Sequence, residues 1–148
     1  MKKIFFLFFI LALVIIAGCS KGNTGNNAKV TVFKSSSCGC CDLYASELGK
    51  RGFDVEFQNM ENTDSIKNEY GIPLNMQSCH TTVVDGYFVE GHMPFEAIQK
   101  LMEERPDIKG IALPGMPSGA PGMPGSKMGE FTIYAIGNDG SQSTFMTI

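Results

Sequence analysis

The hydrophobic and polar positions change period several times along the chain, and each change marks an element. Lys2 and Lys3 precede an unbroken apolar run over residues 4–16. That run is shorter than the ~20 residues a membrane-spanning helix needs, and it has the layout of a secretory signal. Val30-Thr31-Val32-Phe33 is short, β-branched and aromatic, and reads as a buried strand. Residues 42–51 place Leu43, Tyr44 and Leu48 at helical spacing until Gly52 stops them. Phe53-Asp54-Val55-Glu56-Phe57 alternates cleanly, which predicts a half-buried strand. Residues 64–70 predict a short helix with Gly71 and Pro73 as stop signals, and residues 74–79 a loop. Thr81-Thr82-Val83-Val84, the turn Asp85-Gly86, and Tyr87-Phe88-Val89-Glu90 give the strongest hairpin signal in the chain. A helix over residues 94–104 follows, opened by Pro94, with Phe95, Ile98, Leu101 and Met102 on one face.

The order strand, helix, strand, helix, strand, strand, helix predicts an α/β protein of the thioredoxin-like plan, a central mixed sheet with flanking helices. The tail goes beyond that plan. Residues 113–125 form a Pro/Gly/Met loop that admits neither regular helix nor central strand. Residues 131–136, the turn Asn138-Asp139-Gly140, and residues 144–148 then predict an added C-terminal β-hairpin that extends or flanks the sheet.

Chemistry concentrates where the first strand turns into the first helix. Cys38-Gly39-Cys40-Cys41 puts three thiols in four residues. Unpaired backbone N–H groups and the positive helix end favour thiolate there, and thiolates either attack disulfides or hold soft metals.

The ends bear on that choice. Ile16-Ala17-Gly18-Cys19 resembles the bacterial lipobox, in which the cysteine is lipidated and becomes the mature N-terminus. A plain signal peptide or an uncleaved anchor is the alternative. The expected organisation is a lipoprotein signal peptide at 1–18, a flexible Ser/Lys/Gly/Asn/Thr tether at 19–28, and one domain at 29–148. The protein is then exported and lipid-anchored through Cys19 in the bacterial cell envelope, facing the periplasm if the cell has one. Exported cysteines tend to pair. Lipidation of Cys19 leaves Cys38, Cys40, Cys41 and Cys79, enough for two disulfides. Three of these lie too close together to staple distant segments, and a Cys38–Cys41 bridge closes almost no loop. The formal net charge of −3 and pI near 5.3 give no sign of nucleic-acid binding, and Lys50-Arg51 reads as a solvated helix end.

Cys79-His80 immediately precedes the third strand, facing the first cysteines in the predicted plan. A thioredoxin-like oxidoreductase keeps a cis-proline there, whereas here the nearest proline is Pro73, several residues upstream. Cys38, Cys40, Cys41, Cys79 and His80 thus make a converging set of soft and borderline donors. His92, after the fourth strand, is a further ligand, an outer hydrogen-bond donor, or a cap of the next helix. Met116 and Met123 either fill gaps or form a thioether lid over a cuprous site. Three cysteines and a histidine suit closed tetrahedral zinc. Five strong donors exceed what one tetrahedral ion uses, and surplus thiolate with nearby thioether favours Cu(I), singly or as a small cluster.

These motifs follow one another in a recognisable order: Cys38-Gly39-Cys40-Cys41, Gly52-Phe53, Ser78-Cys79-His80-Thr81, Gly86 through Pro94, Pro114-Gly115-Met116-Pro117 and Pro121-Gly122-Met123. Over 29–148 the chain resembles the CopG-type family of exported, thioredoxin-like metal-binding proteins linked to bacterial copper resistance. The resemblance implies copper binding by Cys38, Cys40, Cys41 and Cys79 with His80, and a role in copper redox or sequestration. Members of that family have a tryptophan shortly after the cysteines. This chain has no Trp and offers Tyr44, a change expected to alter packing and not ligation.

The leading expectation is an envelope copper-binding protein that sequesters or transfers Cu(I) and interconverts copper states. Its partners would be copper ions, copper-export or copper-resistance proteins of the envelope, and the membrane through its lipid. The rival is a thiol–disulfide oxidoreductase with Cys38 as nucleophile and Cys41 as resolving thiol. Against it stand the extra thiols Cys40 and Cys79 and the missing cis-proline. A structural zinc domain presenting the Met-rich loop to a partner is third.

Overall fold

A computed structural model describes residues 28–148. The expected signal peptide, Cys19 and the tether up to residue 27 lie outside the described residues. Seven strands form one mixed sheet in the order β2-β1-β3-β4-β5-β6-β7. They are β1 (Lys29–Ser35), β2 (Asp54–Met60), β3 (Thr81–Val84), β4 (Tyr87–Glu90), β5 (Ile108–Ala112), β6 (Thr132–Gly137) and β7 (Gln142–Thr147). Three α-helices accompany them: α1 (Gly39–Lys50), α2 (Asp64–Glu69) and α3 (Phe95–Glu104). β1 pairs parallel to β2 and antiparallel to β3, β4 pairs parallel to β5, and the other neighbours are antiparallel. Among the described residues no helix is long and apolar enough to cross a membrane.

Strand alternation divides the core between the two faces. Val30, Val32, Val84, Val89, Ile111 and Ile133 pack with Tyr44, Ala45 and Leu48 of α1 and Ala97, Ile98 and Leu101 of α3. Phe88, Ala112 and Ile136 point to the opposite face and pack with Ile72 and Met76, the latter in a 3₁₀ turn, Leu74–Met76, inside the expected loop.

Several boundaries differ from the sequence reading, each for a physical reason. α1 begins at Gly39 rather than residue 42, so Cys38 is its N-cap and Cys40 and Cys41 lie in its first turn. Its buried stripe is Cys41, Tyr44, Ala45 and Leu48, and Leu43 is exposed. β2 forms where expected but is not half-buried: it is an edge strand and even Phe57 is exposed, because sequence alternation reveals period and not whether a layer covers the strand. β5 was not foreseen. Gly110 reads as a breaker, yet it is required: a Cβ there would come within 2.6 Å of the Phe88 ring on the neighbouring strand. The C-terminal hairpin, β6 and β7, extends the sheet beyond β5.

This topology brings three loops to one end of the sheet. Phe33 near the end of β1 lies opposite Thr81 at the start of β3, and Thr81 lies opposite Glu90 at the end of β4. Residues just after β1, just before β3 and just after β4 are therefore neighbours. Those residues are the cysteine motif, Cys79-His80 and His92.

Candidate metal centre

The sulfurs of Cys38, Cys40, Cys41 and Cys79 all lie within 4.8 Å of one another. Cys38 and Cys41 are joined as a disulfide, while Cys40 and Cys79 are free thiols. Cys40 Sγ is 3.4 Å from Cys38 Sγ, and Cys79 Sγ is 3.8 Å from Cys41 Sγ across the cleft. Two of the four soft donors are thus locked in an S–S bond, and reduction is required before all four can act as thiolates.

Cys79 also belongs to a second set, with one ring nitrogen each of His80 and His92 within the same 4.8 Å. Its sulfur is 3.1 Å from His92 Nε2 and 3.3 Å from His80 Nδ1. His92 Nδ1 is 2.7 Å from the Pro121 carbonyl oxygen, which only accepts, so Nδ1 carries the proton and Nε2 offers its lone pair toward Cys79. This is the posture of a metal-binding histidine, its outer N–H fixed by a backbone carbonyl. The His92 ring faces Cys79, and the N-cap of α3, Pro94, has no side-chain cap hydrogen bond. His80 is fully buried, and its Nε2 has no hydrogen-bond partner among the described residues. The nitrogen beside the Cys79 thiol is Nδ1, the atom placed to act as a donor, while Nε2 elsewhere on the ring carries an uncompensated desolvation cost.

The electrostatics favour neutral donors in the metal-free protein. Burial, then its neighbour His92, lowers His80 to about 3. Burial also lowers His92, though the Pro121 carbonyl opposes this. Burial, followed by the nearby Cys40, raises Cys79 to about 11. The expectation of helix-favoured thiolate thus does not extend to Cys79, which lies outside α1. A bound cation would supply the missing stabilisation of its thiolate.

Tyr44 packs against both imidazoles, its ring centroid 4.6 Å from His80 and 5.6 Å from His92, and the two imidazoles are themselves 4.8 Å apart. It is buried and packs against the donors without offering a soft ligand. The 113–125 loop closes the other side. Gly122 lies against the α1 backbone, Met123 shares a cleft with Cys40, Leu43 and Glu47, and Met116 is more than half exposed. The loop thus brings Met123 to the cleft that Cys40 lines and leaves Met116 at the surface.

Below the centre lies a polar group that sequence reasoning missed. Glu90 is fully buried, forms an ion pair with buried Lys67 of α2, accepts the Ser78 backbone N–H at 2.6 Å and accepts the Thr81 hydroxyl at 2.6 Å. Burial raises its carboxyl, and the Lys67 ammonium opposes that shift. The one signal in the sequence was an acidic residue ending an otherwise apolar strand.

Fold and site together define a mixed α/β protein whose strand ends carry a thiol–imidazole group able to hold a metal ion. Comparison with known proteins agrees. Residues 76–123 match a family described as "Protein of unknown function, DUF411". None of the curated proteins matches. A solved structure described as copper resistance protein CopG, form 2, is 36% identical with a TM-score of 0.77, covering 83% of this chain and 99% of its own. Form 1 is 37% identical with a TM-score of 0.75, covering 82% and 97%. The chain belongs to the CopG copper resistance protein family.

Proposed function

We propose that this protein binds copper as its cargo in the cell envelope and sequesters or transfers Cu(I) through Cys38, Cys40, Cys41, Cys79 and His80, with His92 completing the imidazole side. The carrying observation is that Cys79 sits in both donor sets, between three sulfurs and two buried imidazoles. Four thiolates suit Cu(I), and imidazole extends the range toward Cu(II), so the same centre supports interconversion of copper states. Surplus donors around a shared thiolate favour more than one ion, whereas a single zinc uses four ligands. Met123 is the thioether placed to cover the thiols, and Met116 is free to meet an arriving or departing ion. The strand order and the cysteine motif between β1 and α1 support a thioredoxin-like ancestry with the cis-proline position given over to Cys79-His80. The lipobox-like residues before Cys19 support lipid anchoring of the domain, within reach of envelope copper-export or copper-resistance proteins.

The test is metal analysis of reduced protein loaded with Cu(I), beside a Cys38→Ser/Cys41→Ser variant. The variant is expected to lose most of its copper, and equal uptake by both would sink the site.

The Cys38–Cys41 disulfide favours one second reading, a thiol–disulfide oxidoreductase. That reading requires fast, metal-independent reduction of insulin disulfides abolished by Cys38→Ser. The copper reading expects no such turnover, because Cys40 and Cys79 lie within sulfur contact of the pair and would divert it.

A further inference from the structure

We propose that the buried Glu90 side chain, paired with Lys67, is a positioning residue for Cys79 that accepts the Ser78 N–H and holds the Ser78–His80 loop where proline chemistry does not. The inference rests on the copper site above.

Glu90 Oε1 accepts from both Ser78 N–H and Lys67 Nζ, and Oε2 accepts from Thr81 Oγ1. Lys67 Nζ also donates to Thr81 Oγ1 at 3.2 Å. The four interacting groups come from four places: Lys67 from α2, Glu90 from the end of β4, Thr81 from the start of β3, and Ser78 from the loop entering β3. Lys67 is 3% exposed, Glu90 and Thr81 not at all. A buried ion pair is a poor way to gain stability, since well-packed apolar side chains do as well or better. What an apolar pair cannot do is accept the Ser78 N–H, which belongs to the residue immediately before Cys79.

The other contacts of this loop show why that bond matters. His80 O accepts Gly91 N–H at 3.0 Å, and Ser78 Oγ donates to Gly115 O. A Cβ at Gly91 would lie 2.9 Å from Ser78 Cβ and 2.6 Å from Leu113 O, so the chains meet as closely as glycine allows. Cys79 is therefore suspended between two anchored neighbours, and the Glu90 carboxylate anchors the backbone on its N-terminal side, where the Ser78 hydroxyl also holds Gly115 O. Because Glu90 ends β4 two residues before His92, the same carboxylate ties the Cys79 loop to the strand that leads into His92, whose Nε2 is 3.1 Å from the Cys79 sulfur.

The experiment is a Cu(I) competition titration of the reduced, detergent-solubilised full chain against a colorimetric chelator. Thermal melts of each variant accompany it. Lys67→Met/Glu90→Gln removes both charges but keeps an oxygen for Ser78 N–H, and is expected to bind within about threefold of the parent. Lys67→Met/Glu90→Leu removes the acceptor as well. It is expected to lose about tenfold or more in affinity, the range seen when an outer hydrogen bond of a metal site is deleted. In a Cys79→Ser background that second effect is expected to vanish, because the device acts through Cys79. A purely structural role would persist in that background. If Lys67→Met/Glu90→Leu does not fold, Ser78→Pro against Ser78→Ala decides, since only the former deletes the N–H. Parental affinity in the acceptor-less variant, with Cys79→Ser impaired, overturns the positioning role alone. Parental affinity in Cys79→Ser overturns the copper site on which it rests.

Discussion

Replacing Gly122 by alanine tests how the proline-rich loop bears on the metal centre. Gly122 has φ +76°, and a Cβ there would lie 2.7 Å from Tyr44 N, 2.8 Å from Cys40 O and 3.0 Å from Tyr44 Cα. All three are backbone atoms of α1, beside the cysteine motif, and cannot swing aside as a flexible side chain would. An L-residue in left-handed backbone costs roughly 1–2 kcal/mol, and forcing an extra carbon into a packed contact costs about 1–3 kcal/mol more. The sum, roughly 2–5 kcal/mol, is limited by the loop lifting off α1, which breaks the hydrogen bond from His92 Nδ1 to Pro121 O. For a domain of this size about 4 °C of melting temperature corresponds to 1 kcal/mol, so a fall of about 8–20 °C is expected. Gly115→Ala is the control. Gly115 has φ +73° but nothing within 4 Å of its Cβ position, so it carries the backbone strain alone, about 4–8 °C. The assay is thermal unfolding of metal-free protein, with ¹⁵N NMR of the imidazoles. Gly122→Ala should also free His92 from its single Nδ1–H form. Equal melting of the two variants with an unchanged His92 tautomer would refute the reasoning.

Two further predictions concern protons and thiols. Burial holds His80 down to about 3, so the unfolded chain takes up its proton below about 6.5 while the folded chain stays neutral. Its contribution is therefore full above 6.5 and is lost as pH falls toward 3, amounting to about 2 kcal/mol between pH 7.5 and pH 5, with His92 acting in the same direction. Denaturant melts of chelator-treated protein at the two pH values check this, and equal stability would contradict it. Cys40→Ser keeps the Cys38–Cys41 pair intact. It is expected to lower copper stoichiometry, and a gain of disulfide-reductase activity without any loss of copper would favour the oxidoreductase reading.

Much of this architecture is legible in the sequence because its signals are local. The Asp85-Gly86 hairpin, the apolar face of α3 and the terminal hairpin each carry their own period or turn chemistry. The meeting of the cysteine motif with Cys79-His80 follows from strand order alone. What escaped depends on partners distant in sequence. β5 hid behind Gly110, whose missing side chain is explained only by Phe88 on the adjacent strand. Nothing local marks Glu90 as buried, because its partner Lys67 is 23 residues away. His92 could not be assigned before Pro121 O fixed its ring. The two loop methionines, alike in sequence, part company because Met123 packs against the core while Met116 is exposed.

The central claim is that copper sits between the sulfurs and the imidazoles, with Cys79 shared. X-ray absorption at the copper edge of reduced, Cu(I)-loaded protein tests it most directly. The account predicts a mixed shell of sulfur with imidazole nitrogen, and loss of the imidazole contribution in His80→Ala/His92→Ala. A shell of sulfur alone in the parent protein, unchanged by that double substitution, would contradict it.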